Sequence, residues 1–487
     1  MNGSIGSNFR SVLLAAAAVT ALLATGSSGI GLQNTASAQS TENAPTPLGA
    51  PLNLGAPRRS ATPISPDGRA AIRQPTPGSS GEGRSGIEIQ ALGSVDFGSI
   101  GLLTQEQGGF PTDMWTGTDR SLVLSLLPKV PVDTTSRAVR ILLRRLLLTA
   151  AAAPEGNGES VDLLIARVRA LSFMGELEAA RDLLQAIPER VDSLPLAQAR
   201  VETALLLRDT DGACIAADRY VQAYDDPEFQ KAQVICKARS EQMDAAILAL
   251  SVLRESGHDD PGFYALMDGM ISGSAPKDLK VENPTAVILT GFELIGAPLP
   301  KSFAEAESFG VLRAVSSSPV ADLPLRLAAA ERAETVGAVP TLYLNGLYSE
   351  LQFKPEDLAN ALTVAQKTPG PRGRALLFQA VQGLTVPAAQ AAVIKSAFDL
   401  TRGTPLFSTM ARVFLPFLAQ IEPSPELSFV AADAGRALIV AGQNQRALQW
   451  LTITTRRAAS KDEQAAALSL WALARLAGID SPIVPWD

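Results

Sequence analysis

The feature that most constrains this chain is a small residue returning at a fixed interval. Ala180, Ala213 and Ala246 stand 33 residues apart, and each has an apolar partner four residues on: Leu184, Ala217 and Leu250. Residues i and i+4 share one helix face. A small side chain in that position marks a place where a second helix comes close. Gly175–Pro188 therefore reads as opening the second helix of a hairpin. Units of this length stack so that neighbours bury what one unit alone leaves exposed, and such arrays have no upper size limit.

The pattern returns near the end of the chain, where Gly435, Leu438, Gly442, Ala447 and Leu451 keep the spacing of alternating small and large positions. Over residues 160–256 and 426–478 the chain resembles the tetratricopeptide-repeat family, with most consensus aromatic and Gly positions taken by Leu, Val or Ala. The resemblance implies an all-α, right-handed superhelical stack of antiparallel helical hairpins (a TPR-like solenoid). It further implies that a protein or peptide partner lies along a preformed concave groove. Four aromatics are the candidates for that partner surface: Tyr220 and Tyr224, on the second helix of a hairpin, and Tyr343 and Tyr348. Core packing is the competing role for each.

Helix starts punctuate the body. Asp226-Pro227, Asn283-Pro284, Lys354-Pro355, Val386-Pro387 and Ser424-Pro425 put Pro where a first helical turn accepts it. Gly175, Gly257, Gly337 and Gly442 fit helix ends. Residues 87–131 read as an irregular cap, with a helix near Thr118–Leu127 and Trp115 packed on the first hairpin. A first repeat stack covers 132–275, a less regular helical middle that separates two stacks covers 276–345, a second stack covers 346–480, and 481–487 is a tail. The clearest single helix is Ser136–Ala153. Arg137, Arg140 and Arg144 make one narrow polar stripe on it, and its other faces carry Val139, Ile141, Leu142, Leu143 and more Leu. That composition predicts a helix buried between neighbours; the rival reading is a basic amphipathic helix lying on anionic lipid.

Ahead of the body stands a leader. Arg10 is the only charged side chain before Glu42, Val12–Ala24 is an apolar core too short to span a bilayer, and Ala36-Ser37-Ala38 precedes Gln39 as a cleavage signal. Residues 1–38 read as a signal peptide cut between Ala38 and Gln39. No Cys lies there, which excludes an amino-terminal lipid anchor, and no later stretch is apolar enough for a span. Residues 39–86 hold eight prolines and five arginines (Arg58, Arg59, Arg69, Arg73, Arg84) with few large apolar side chains, so they read as a disordered, solvated linker. Their match to G-x-G-x-x-G, from Gly81 to Gly86, lacks the strand and helix that a dinucleotide site needs. The formal charge of −7 becomes about −8 once the leader is gone, which argues against nucleic acid as partner. A periplasmic or secreted location follows.

Cys214 and Cys236 are the only two cysteines, and each lies 11 residues from Asp225, in the turn Asp225-Asp226-Pro227. On two facing helices that puts them at one height. In an oxidising compartment a disulfide is expected.

A search for chemistry leaves little. His258 is the one histidine, in a Ser-Gly-His-Asp-Asp turn, which precludes His-cluster zinc sites. Ser274-Ala-Pro-Lys277 matches S-x-x-K, with Pro276 inside it and no K-T-G element elsewhere. Asp225/Asp226 and Asp259/Asp260 read as turn and cap residues. Soluble lytic transglycosylases carry a long α-superhelix ahead of a catalytic domain. Glu255-Ser256 and Glu307-Ser308 lack the motifs that follow the catalytic Glu there, so that likeness is architectural only. The expectation is a non-enzymatic scaffold with no catalytic residue, cofactor or metal. A structural factor for envelope or peptidoglycan organisation is the alternative, and a carboxylate-dependent enzyme the less favoured one.

Overall fold

The computed structural model describes residues 96–188, 191–274, 279–457 and 460–480. The leader with its Ala38/Gln39 site, the linker and the tail lie outside the described residues. These form 21 α-helices, four short 3₁₀ turns and no strand; Leu103–Thr149 and Asp119–Glu155 are isolated bridges.

The cap is built on buried arginines. It comprises the 3₁₀ turn Phe97–Ser99, helix α1 (Arg120–Leu126), the 3₁₀ turn Leu127–Lys129 and helix α2 (Arg137–Leu148). Trp115 packs half-buried on the same core as Leu147 and Leu164. Arg167, only 2% exposed, donates to the carbonyls of Leu147, Gly98, Ile100 and Thr149, at 2.6 to 3.3 Å. Burial pulls its guanidinium down to about 10, so it is still a cation at neutral pH. Carbonyls from the end of α2 and from the segment around Phe97–Ser99 thus converge on one fixed charge, which supplies hydrogen bonds that regular structure does not.

Helix α2 departs from its sequence pattern in two ways. It ends at Leu148, because the amides of Leu102 and Leu103 take the Leu148 carbonyl and Ala150–Ala153 run on outside the helix. Its arginine stripe is also drawn partly inward, while Leu143, Leu147 and Leu148 stay buried. Arg140 is buried, donating to Met174 O at 2.7 Å and Glu176 Oε1 at 3.0 Å, while Ile141 and Leu142 are 58% and 49% exposed. Acids remote in sequence, Glu176 and Glu334, draw the arginine stripe inward.

The first array runs α3 (Asp162–Met174), α4 (Leu177–Gln185), α5 (Leu194–Leu206), α6 (Thr210–Tyr220), α7 (Pro227–Arg239), α8 (Met243–Glu255) and α9 (Pro261–Ile271), each packed on the next. Ala180, Ala213 and Ala246 are all buried, as are Leu184, Ala217 and Leu250. Asp226 caps α7 through the Glu228 amide and Asp260 caps α9 through the Phe263 amide, both with Pro in the first turn. The turns within pairs share one conformation: Gly175, Arg208 and Glu241 all have positive φ (79°, 59° and 60°).

The chain then folds back. Helix α10 (Ala286–Ile295) starts two residues beyond Pro284, capped by Thr285, and packs on α5, α7 and α9. A 3₁₀ turn (Lys301–Glu305) leads to α11 (Phe309–Ser316), which packs on α3 and α5. Glycine makes both approaches possible. A Cβ on Gly310 would come within 2.5 Å of the Ser172 carbonyl, and one on Gly291 within 2.8 Å of Leu266. Helices α12 (Leu323–Val336) and α13 (Thr341–Glu350) complete the segment 276–345 and run past it. This middle segment therefore does more than join two stacks: its apolar side chains share one core with those of α5, α7 and α9.

The second array comprises α14 (Pro355–Ala359), α15 (Ala361–Lys367), α16 (Pro371–Gln382), α17 (Pro387–Thr401), α18 (Leu406–Leu418), α19 (Ser428–Val440), α20 (Asn444–Arg457) and α21 (Lys461–Leu476). Pro425 opens a 3₁₀ turn (Pro425–Leu427) instead of α19 itself. Ala447 and Leu451 are buried with Trp450, and Gly435 lets Leu470 of α21 lie directly on α19. Helix α12 joins the arrays. It packs on α11 and also on α16 and α18, and two of its acids, Glu331 and Glu334, are 2% and 0% exposed. Arg374 of α16 and the Tyr348 hydroxyl donate to Glu331. Arg412 of α18 forks onto Glu334 at 2.8 and 2.7 Å, and Arg137 of α2 reaches it at 3.0 Å. The whole is all-helical, with each helix against its chain neighbours as in a helical solenoid.

Candidate partner grooves

The four candidate tyrosines do not form a surface. Tyr220 is 2% exposed and Tyr348 fully buried. Tyr220 stacks at 5.6 Å from Phe229, and Tyr348 donates to Glu331 at 2.6 Å. Burial and the neighbouring Glu331 carboxylate hold the Tyr348 phenol well above its ordinary value, so it stays a donor. Tyr343 is half-buried with its hydroxyl on the Ser316 carbonyl at 2.8 Å. Tyr224 lies past the end of α6, half-buried against Tyr220 and Phe229. Their sequence positions look like a groove lining, but the α6–α7 turn and the α12–α13 contact enclose two of the rings.

The odd-numbered helices touch one another along both arrays: α3 on α5, α5 on α7, α15 on α17, α17 on α19 and α19 on α21. Their shared face is where a repeat array of this kind would offer a groove. In the first array α10 and α11 cover that face. What remains open is a pocket of about 280 Å³ beside α10, lined by Arg169, Gln198, Glu202, Glu228 and Phe229. Glu228 is engaged by Lys231 at 2.7 Å. In the second array the face stays open across α17, α19 and α21, as a hollow of about 360 Å³. The charges at its base are paired. Asp433, buried at its base, accepts from Arg402 at 2.9 and 2.7 Å and from Arg436 at 2.9 Å, and Lys395 pairs with Asp399 at 2.8 Å.

A larger groove, about 720 Å³, opens elsewhere, between α4 and α6 with α5 as floor. Its apolar surface comes from Leu184, Ala204, Leu207 and Ile215, the last 76% exposed. Its α4 and α6 walls carry Arg181 and Arg219, and Arg200 rises from α5. Arg200 donates to the Tyr220 hydroxyl at 2.9 Å and has no carboxylate partner among the described residues. Glu178 on the α4 wall is held by Arg313 at 2.7 Å. Burial works to raise the Glu178 carboxyl, the Arg313 hydrogen bonds outweigh it, and the group sits below its ordinary value. An apolar floor with a few charged groups on its rim is how sites for extended segments are built. Sequence reading missed this groove. Its residues come from three helices, and only Arg200, a charge placed between buried Ala199 and Val201, hints at an inward-facing cation.

Cys214 of α6 and Cys236 of α7 stand at disulfide distance, with Cα atoms 5.5 Å apart and sulfurs 2.00 Å apart. His258 sits in the α8–α9 turn, its carbonyl accepting from Tyr264. Lys277 of the S-x-x-K match lies outside the described residues. Among those described, no group of three or more His, Cys, Asp or Glu is placed to hold a metal, and no helix is long and apolar enough to cross a membrane. No protein-family model, curated protein or solved structure matches the chain.

Proposed function

We propose that the chain is an exported helical-repeat scaffold that binds a protein or peptide partner in the cell envelope, without catalysis. The observation that carries this reading is the 720 Å³ groove over α5: large, apolar-floored, rimmed by charge and formed by three packed helices. A groove on helices is preorganised, so a partner loses little free energy to ordering it. In the finer form of the proposal the helix pairs are antiparallel hairpins in a right-handed superhelix. The leader delivers the chain to the periplasm or beyond, where the paired cysteines are oxidised, and the Pro-rich segment gives it reach.

The test is a photo-crosslinking residue placed at Ile215, in the groove, and in a second protein at Leu476, 85% exposed on α21. Each full chain is illuminated in an envelope fraction. The expected result is a discrete adduct from position 215 that position 476 does not give. Identical adducts from both, or none from 215, would remove the groove as a partner site.

A further inference from the structure

We infer that the segment held over α5 is acidic: an extended stretch of protein whose carboxylates alternate with apolar side chains. This rests on the binding reading above and adds the chemistry of the partner. Three guanidinium groups, one each from α4, α5 and α6, border one apolar floor. The two acids among the lining residues are already committed. Glu178 is held by Arg313, and Asp209 accepts from the Gly212 amide at 3.0 Å as the cap of α6. Two of the arginines are the opposite. Arg200 has no carboxylate among the described residues. Arg181 pairs, among the described residues, only with its sequence neighbour Asp182, both side chains about half exposed, a kind of pair that contributes little and exchanges readily. Arg219 meets Asp192 at 3.4 Å.

A half-buried guanidinium without a counter-charge gains most from a carboxylate, which its planar fork binds through two hydrogen bonds. Apolar side chains on alternate positions would cover Leu184, Ala204, Leu207 and Ile215. The floor distinguishes this groove from a nucleic-acid surface, where a basic face without an apolar base suffices. The chain's own 39–86 segment is not the occupant: it carries five arginines against Glu42, Asp67 and Glu82, the same sign as the groove rim.

The experiment uses the full chain and fluorescein-labelled octapeptides of alternating Leu and Glu, or of alternating Leu and Gln, read by fluorescence anisotropy. The Glu peptide should bind and the Gln peptide bind at least tenfold more weakly, with the difference shrinking as salt is added. Arg200→Gln should weaken the Glu peptide by roughly tenfold and leave the Gln peptide unchanged. Ile215→Glu changes a side chain that is mostly in water, so its folding is not at risk, and it should also weaken the Glu peptide. Melting followed by circular dichroism checks that both variants are folded. Equal affinity for the two peptides would overturn the acidic assignment while leaving the groove as a partner site. Loss of binding in neither variant, equal competition by a single-stranded oligonucleotide, or a doubled mass in light scattering that Ile215→Glu reverses would overturn it as well. The Ile215 crosslink reports on the groove itself, so its failure is separable from any of these.

Discussion

A left-handed residue recurs with the repeat. Gly175, Arg208 and Glu241 are again 33 residues apart, and each ends the turn between two paired helices with positive φ. A side chain in that region costs about 1–2 kcal/mol, which Gly avoids. Arg208 is compensated: its guanidinium donates to Glu293 at 3.0 Å, to Ala314 O at 2.7 Å and to Ser317 at 2.8 Å, fastening the turn to α10 and α11. Glu241 is exposed, and its side chain makes no bond among the described residues. Glu241→Gly is therefore expected to stabilise the chain by about 1 kcal/mol, seen as a higher denaturation midpoint in urea. Arg208→Gly should not, since it would leave Glu293 without its counter-charge. The turn register was only half legible in the sequence. Gly175 and Gly442 announce it, whereas Arg and Glu at the intervening positions conceal a backbone demand behind ordinary surface residues.

Single elements show where pattern reading succeeds. The α6–α7 turn was legible because every clue is local: Asp226 as cap, Pro227 at the first position, and two cysteines at equal offsets. If oxidised, the Cys214–Cys236 link closes a loop of 22 residues, and the chain-entropy account gives about 3 kcal/mol. The double variant Cys214→Ala/Cys236→Ala should lose about that much in urea denaturation. Reductant should lower the parent protein by the same amount and leave the variant alone. Helix α2 shows the opposite case. Its apolar majority suggested leucines inward and arginines outward. Leu143, Leu147 and Leu148 do face inward, but the acids that draw two of the arginines in with them, Glu176 and Glu334, stand 36 and 197 residues from the arginines they bind, Arg140 and Arg137. No window along the sequence contains such pairs. The same distance hid the groove over α5, while the stacked alanines, being periodic, were plain.

At the scale of the molecule, helix α12 is where the parts meet. Arg137, Arg374 and Arg412 come to it from α2, α16 and α18, and its two acids are out of reach of water. Such pairs contribute little over an apolar core, but removing one member strands a buried charge. Glu334→Ala leaves Arg412 with no carboxylate among the described residues, and is expected to cost about 3 kcal/mol, measured as a fall in the free energy of chemical denaturation. Glu334→Gln, which keeps the shape and one acceptor, should cost less. The folding back of α10 and α11 has a different consequence. An open row of repeats can gain or drop a unit at no harm to the rest. Here Gly310 must meet Ser172 and Gly291 must meet Leu266 across many intervening residues. A unit spliced between α3 and α9 would carry those partners out of alignment, so this half of the protein has a fixed length, set as in a closed ring by where its two ends have to touch.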